Sequence, residues 1–475
     1  MKTKIKDRGI SLSSSRPVSR DPEPRVLGSS LRWNDGYGVA LSDSVLGKST
    51  QKLSLPIISE FLILMSIFLF WYEAFFLSVG LGFLSGVAMP SLLLVLALVF
   101  ADKSKIRVPR TLVFLIAFFI VALLSGVLAA GRGIGPILIL SGWALFFQFL
   151  VAILAAQGVA SPKRLLRNIL FLSLPMIVVG AYQFIANQAT SRLWVAASET
   201  NVSTRAFAFF GSPNVLGAVL AMVALVALGL FLSEKNKDMA VISALATLVT
   251  VFTFSRSAWI GLVVGFALVL VIRNYKLVIF SPLVLFALLF SQVRTRLFMA
   301  LTPSYWFDSS LDGRLWSLNN GFHILAKYPL FGTGPGTYGG KLALNASSPV
   351  YLQGIQNGYV ALYYTDNQWL QLLVQTGIIG ITLFALFMTE MFYLLFSQYN
   401  EHKDALTLGI IGAFVAFVIT GFFGNVLEFG AIAVPMGIML GAAFSVSPAV
   451  IPGRKPGTQT SKIPLFKGMT ERKEK

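Results

Sequence analysis

Three arginines and one aspartate are the residues of this chain whose settings could support chemistry. Arg205 lies in TRAFAFFGSPNVLG (204–217) and Arg256 in FTFSRSAWIG (252–261). Arg314 opens a helix-like stretch within DGRLWSLNNGF (312–322), and Asp366 stands in YYTDNQWLQLLVQTGIIG (363–380). Each sits at the mouth of an apolar run. A guanidinium stays charged at any physiological pH and grips phosphate oxygens with two parallel hydrogen bonds, which an ammonium cannot do. An ionised carboxylate beside such groups can orient or deprotonate a hydroxyl. The residue types therefore suggest a phosphorylated ligand. Ion pairing of the arginines with Glu199, Asp308, Asp312 and Asp366 is the plainer alternative.

Local rules account for some of these residues without any ligand. Ser212 followed by Pro213 reads as an N-cap and a first helical position. Thr365 and Gln368 have the spacing of a capping box, which would leave Asp366 to favour the positive end of the helix dipole and stay ionised. Arg256, at the top of a helical hairpin, either snorkels to the surface or faces a polar cavity. Neither rule explains Arg205 or Arg314.

The elements that must position these residues are membrane helices. Of 475 residues, 56% are hydrophobic and only 12% charged, and the apolar residues fall in long runs. That pattern predicts an all-α polytopic membrane protein. About 20 apolar residues span a bilayer. On that rule twelve spans are expected, near 57–77, 82–101, 111–130, 136–156, 168–186, 213–232, 239–255, 258–273, 277–292, 377–397, 406–424 and 430–448. Residues 1–52 and 449–475 read as disordered polar tails around a membrane domain over 53–448.

The net charge of +18 is a topology signal, since the basic residues occupy the two tails and the gaps between apolar runs. No single element gathers them, so nucleic acid is not an expected partner. Most of the 38 Lys and Arg residues fall on one side if the amino terminus is inside, which puts both termini in the cytoplasm. The outer segments are biased to arginine: Arg132, Arg192, Arg205, Arg256, Arg294, Arg296 and Arg314, against Lys327 and Lys341. The outer loop expected over 293–376, between the ninth and tenth spans, is too long for an idle connection.

Other chemistries are disfavoured. There is no Cys, and His323 and His402 are the only histidines, so thiolate catalysis and a His-rich metal site are not expected. GPGTYG (334–339) fits G-x-G-x-x-G literally, but no strand precedes it and no Lys-Ser/Thr follows, so a tight turn allowing close backbone approach is expected instead. Glu60, Glu73, Glu390 and Glu428 are the acidic residues within or beside the spans; Glu428 is expected to be a solvated hairpin residue, with a second acidic participant at the outer site as the alternative. A transporter would place its charges near the midplane of repeated halves. Here no convincing repeat is visible, and the candidate charges gather at the outer interface.

Taken together, Arg205 with SPNVLG, SRSAWIG, GRLWSLNNGF with YPLFGTGPGTYG, and DNQWLQLLVQTGIIG resemble the O-antigen polymerase/ligase superfamily. These are membrane glycosyltransferases that act on polyprenyl-diphosphate-linked glycans. The likeness covers roughly 200–390. It implies a C-type glycosyltransferase-like helical fold acting on the outer face of the bacterial plasma (inner) membrane. A glycan donor on undecaprenyl diphosphate and a glycan or lipid acceptor are its implied partners, with a flippase and a chain-length regulator alongside. Neither a cofactor nor a metal is implied. The matching arginines, Arg256 and Arg314, would hold the diphosphate and stabilise it as it leaves. Asp366 would act on the acceptor hydroxyl, and Arg205, Asn214, Trp316 and Asn367 would bind substrate. The ligase branch carries a functional His where this chain has Asp366. That departure favours a polymerase of oligosaccharide repeat units over a ligase that moves a finished glycan to a lipid or protein. A bicarbonate-like transporter is the reading from another class.

Overall fold

The computed structural model describes residues 54–190, 204–274, 294, 298, 302–303, 314–353 and 364–446. Its described residues form helices, with one isolated bridge between Ala189 and Thr204. In chain order the main helices are α1 (Leu55–Trp71), α2 (Ala88–Phe100), α3 (Arg110–Ala130), α4 (Pro136–Gln157), α5 (Pro162–Leu172) and α6 (Leu174–Ile185). They continue with α7 (Pro213–Glu234), α8 (Lys237–Phe252), α9 (Arg256–Asn274), α10 (Arg314–Lys327), α11 (Gln368–His402), α12 (Ala405–Gly421) and α13 (Gly430–Val446).

Six helical segments are long and apolar enough to cross a membrane, the joined α5–α6 counting as one; α1, α2, α12 and α13 are shorter apolar helices. The span expected at 277–292 and both tails lie outside the described residues. Each other expected span overlaps a helix. Two begin earlier than hydropathy suggested. The segment expected at 168 starts at Pro162, with Ser161 accepting from the Arg164 N–H and Arg164 paired to Glu60 at 2.6 Å. The segment expected at 377 starts at Gln368, because buried Gln368, Gln371 and Gln375 mask its apolar character.

α7 is apolar all round and is buried from Val215 to Leu230 except at Leu228, as a helix without a polar face must be. It packs against α8, α9 and α12. Small residues let these helices approach. A Cβ on Gly229 would lie 2.9 Å from the Gly409 Cα, and one on Gly261 3.1 Å from the Ala416 Cα. Close contact of this kind is how helices associate where lipid is as apolar as leucine. α4 packs on α13, and α3 on α11.

The connections sort onto two edges. On one, Asp102 N–H donates to Gly158 O, Ser445 Oγ to Gln157 O, and Ser233 Oγ to Asp404 Oδ1, all at 2.9–3.0 Å. The opposite edge gathers 131–135, 204–212, 253–255, 314–353, 364–367 and 422–429. Arg132 Nη2 donates there to Gly332 O, and Arg205 Nε to Thr253 O. All four residues singled out from the sequence lie on this second edge.

Candidate active site

α11 is broken at Gly377, and a turn from the second edge packs into the break. Gly377 has φ +66° and ψ −172°, so the helix loses its own backbone bonds around that point. The turn 329–334 replaces them. Pro329 O accepts from Ile378 N–H and Leu330 O from Ile379 N–H, while Thr333 and Gly334 N–H donate to Val374 O and Gln375 O. Buried backbone groups need such partners. The glycine string is thus a structural insert, as the rejection of a nucleotide loop implied. Gly332, Gly334, Gly336 and Gly339 all have positive φ.

The N-terminal part of α11 carries Gln368, Gln371 and Gln375 on one buried stripe. Gln375 Nε2 donates to Tyr338 O at 2.6 Å, and its Oε1 accepts from Gly336 N–H at 3.2 Å. Gln368 Oε1 accepts from Leu427 N–H at 2.7 Å. Gln371 donates to Glu428 Oε2 at 3.0 Å and accepts from Asn425 Nδ2 at 2.7 Å. Glu428 is therefore buried, not solvated. Its carboxyl is pushed up by burial, against the opposing pull of hydrogen bonds from Leu342 N–H and Gln371.

The capping box does not form. Asn367 is the N-cap, and its Oδ1 accepts from Trp369 N–H at 3.0 Å and Leu370 N–H at 3.1 Å. Thr365 instead ties to the glycine strap, its N–H donating to Gly339 O at 2.9 Å. Between them Asp366 takes a left-handed φ of +47°. Pro213 does open α7, but Ser212 makes no cap bond and lines a cleft.

That cleft, about 500 Å³ with the open solvent at its mouth included, is lined by two of the candidates, Asp366 and Asn214. Asp366, Asn214, Ser212, Ser257, Tyr364, Thr420 and Asn425 supply its polar side chains, and Val215, Phe423, Val426 and Phe429 part of its apolar lining. Arg314 stands beside it. Its Nη2 lies 3.7 Å from Asp366 Oδ2 and donates to Phe423 O at 3.3 Å, and its guanidinium sits 5.6 Å from the Phe423 ring centre. Arg314 Nε is buried and has no hydrogen-bond partner among the described residues. Recession pushes the Asp366 carboxyl above its ordinary value, with Arg314 pulling the other way. Arg314 acts in the direction expected of it, while the desolvation opposing it was not foreseen. A base that titrates nearer the working pH is better suited to accept a proton.

Arg205 is buried and braces the cleft from behind. Its Nε donates to Thr253 O and its Nη2 to Asn214 Oδ1, both at 2.9 Å. Arg256 is half-buried at the start of α9, where its neighbour Ser257 reaches the cleft. The reversal before it places Phe254 at φ +50°, packed on Trp259. Trp316, half-buried on α10, and Asn367, the helix cap, do not line the cleft. Tyr364, Ser257 and Asn425 were missed as site residues. The glutamine stripe was visible in the i, i+3, i+7 spacing of QWLQLLVQ.

The fold and site define a helical membrane protein with a guanidinium–carboxylate cleft at one edge. Residues 240–385 match the family model described as O-antigen ligase, Wzy_C. That match places residues 240–385 in the O-antigen polymerase/ligase superfamily and supports an O-antigen ligase/polymerase-type membrane enzyme. The matched stretch contains Arg256, Arg314, Trp316, Asp366 and Asn367, whereas Arg205, Asn214 and Glu428 lie outside it. No curated protein matches the chain.

Proposed function

We propose that the protein polymerises polyprenyl-diphosphate-linked oligosaccharide repeat units on the outer face of the bacterial inner membrane. It has about twelve spans and both termini cytoplasmic. The observation that carries this reading is the Arg314–Asp366 pair at 3.7 Å beside a cleft with hydroxyl and amide lining. Polar groups of this kind suit a sugar, and a guanidinium suits its diphosphate.

In the reaction the acceptor hydroxyl attacks the anomeric carbon while the bond from that carbon to the diphosphate oxygen breaks. Asp366 takes the hydroxyl proton, and the lipid diphosphate leaves with the electron pair of the broken bond. Arg314 and Arg256 neutralise the charge that develops on it, a role that needs no metal ion when the donors are preorganised. Arg205 acts through Asn214, which it holds against the cleft. Trp316 and Asn367 bind the glycan outside it.

Transfer of a finished glycan to a lipid or protein acceptor is the second reading, favoured by the description of the matched family. The experiment is incubation of the purified protein with a labelled polyprenyl-diphosphate oligosaccharide, with and without an added lipid acceptor and with a chelator. A ladder of lengthening products that persists with the chelator is expected. A single transfer confined to the lipid acceptor would favour the ligase. No transfer in either arm, together with solute uptake by proteoliposomes, would overturn the enzyme reading.

A further inference from the structure

Glu428 is a buried carboxylate that the reaction above does not use. It belongs to the hairpin between α12 and α13 and is 7% exposed. Its Oε1 accepts from the Leu342 N–H at 2.9 Å and its Oε2 from Gln371 Nε2 at 3.0 Å. The carboxylate lies directly over Gly340, so that a Cβ on this residue would strike it. The neighbouring Gly339 is filled in the same way: a Cβ there would lie 2.5 Å from Thr365 Cγ2. The glycine pair in YGGK (338–341) therefore makes room for two side chains that grip the strap.

We propose that Glu428 is a positioning residue for Asp366, acting through a relay of hydrogen bonds that fixes the left-handed turn at 366. The functional weight of this relay rests on the reading of Asp366 as the base. A carboxylate only accepts, so Gln371 must present its Nε2 to Glu428 and its Oε1 to Asn425. Asn425 Nδ2 is thereby directed at Gln371 Oε1 at 2.7 Å, Gly339 O at 3.0 Å and Thr365 Oγ1 at 3.3 Å. Thr365 is held again by its own N–H on Gly339 O at 2.9 Å. Asp366 follows at φ +47°, a left-handed conformation that aspartate tolerates better than most residues but that still favours anchors on either side. Thr365 supplies one anchor and the Asn367 cap the other. Glu428 thus sets the orientation of every amide between itself and the strained turn.

The test compares wild type, Glu428→Gln and the exchange Glu428→Gln/Gln371→Glu in lipid nanodiscs. A carboxamide at 428 cannot accept from both Leu342 N–H and Gln371 Nε2. In the double variant it donates to the carboxylate now on α11 and still accepts from Leu342. That carboxylate in turn accepts from Asn425, so the relay closes again. Amide hydrogen exchange at 338–342 and 364–367 reads the turn without requiring turnover. Glu428→Gln should speed exchange there by about tenfold or more. It should also lower kcat on the order of 100-fold while KM for donor changes by less than about threefold, as for a displaced rather than missing catalytic group. The double variant should return both to within about threefold of wild type. Unchanged exchange in Glu428→Gln, or a folded double variant that restores nothing, overturns the relay. Exchange that changes and recovers while the wild type transfers no sugar supports the relay and defeats the assignment of Asp366 as base. If Glu428→Gln does not fold, Asn425→Asp removes the donor to Gly339 and Thr365 and must give the same exchange change. Normal exchange in that variant overturns the relay.

Discussion

Arg314 Nη2 stands 3.7 Å from Asp366 Oδ2 and donates to Phe423 O at 3.3 Å, so one guanidinium joins the start of α10, the entry to α11 and the hairpin after α12. Its Nε remains buried without a hydrogen-bond partner among the described residues. A donor in that state gains most from an incoming anion.

Arg314→Lys keeps the charge and loses the fork. Activity should fall on the order of 10- to 100-fold, because an ammonium cannot hold a phosphate bidentately or preserve the contact with Phe423. The check is kcat/KM for the lipid-linked donor, with the melting temperature of the variant alongside. Full activity would exclude a bidentate role.

Asp366→Asn separates chemistry from structure. Asparagine is at least as tolerant of the left-handed region as aspartate, and the cap belongs to Asn367, so stability should hardly change. Loss of a general base costs about 100- to 10,000-fold in rate. Circular dichroism melts and turnover on the same preparation measure both.

The pH dependence has a definite sign. Recession raises the Asp366 carboxyl above its ordinary value and Arg314 opposes that shift. A base must be ionised to act, so activity rises with pH through a limb placed above the ordinary aspartate value. Arg314→Gln removes the opposing pull and should move that limb to higher pH. Profiles of kcat/KM against pH for the two proteins test this; a limb that stays in place, or moves down, contradicts it.

Gly377→Ala tests the broken helix. The residue has φ +66°, and a Cβ there would run into the Leu330 carbonyl. Strain in that region costs about 1–3 kcal/mol before any displacement of the strap. Thermal unfolding in detergent should show the loss, and residues 329–334 should become more open to proteolysis.

Much of this was legible in the sequence. Every expected span whose residues are described overlaps a helix, six of them long and apolar enough to cross a membrane, though the helix expected from 82 begins at Ala88 and those expected from 168 and 377 begin earlier. Arg205, Arg256, Arg314 and Asp366 were recognisable because each is a charge at the mouth of an apolar run. Spacing could not show that Asn367 rather than Thr365 caps α11. That outcome depends on Gly339 and Asn425 claiming the threonine, two contacts distant in sequence. Nor could it show that Glu428 is buried, since a hairpin carboxylate looks solvated until the glycine strap closes over it. Trp316 and Asn367 came from the resemblance, and neither is among the residues that line the cleft. Arg205 was chosen for its charge, and folding makes it the brace of Asn214.

The central claim is that the Arg314–Asp366 cleft is the active site of a glycosyltransferase using a polyprenyl-diphosphate-linked glycan. It is tested most directly by following labelled lipid-linked oligosaccharide in nanodiscs containing wild type or Asp366→Asn at matched folded concentration. Lengthened glycan should accumulate with the wild type, and at a rate lower by about 100-fold or more with the variant. Equal product formation by the two proteins, or none by the wild type with donor and acceptor both present, would contradict the account.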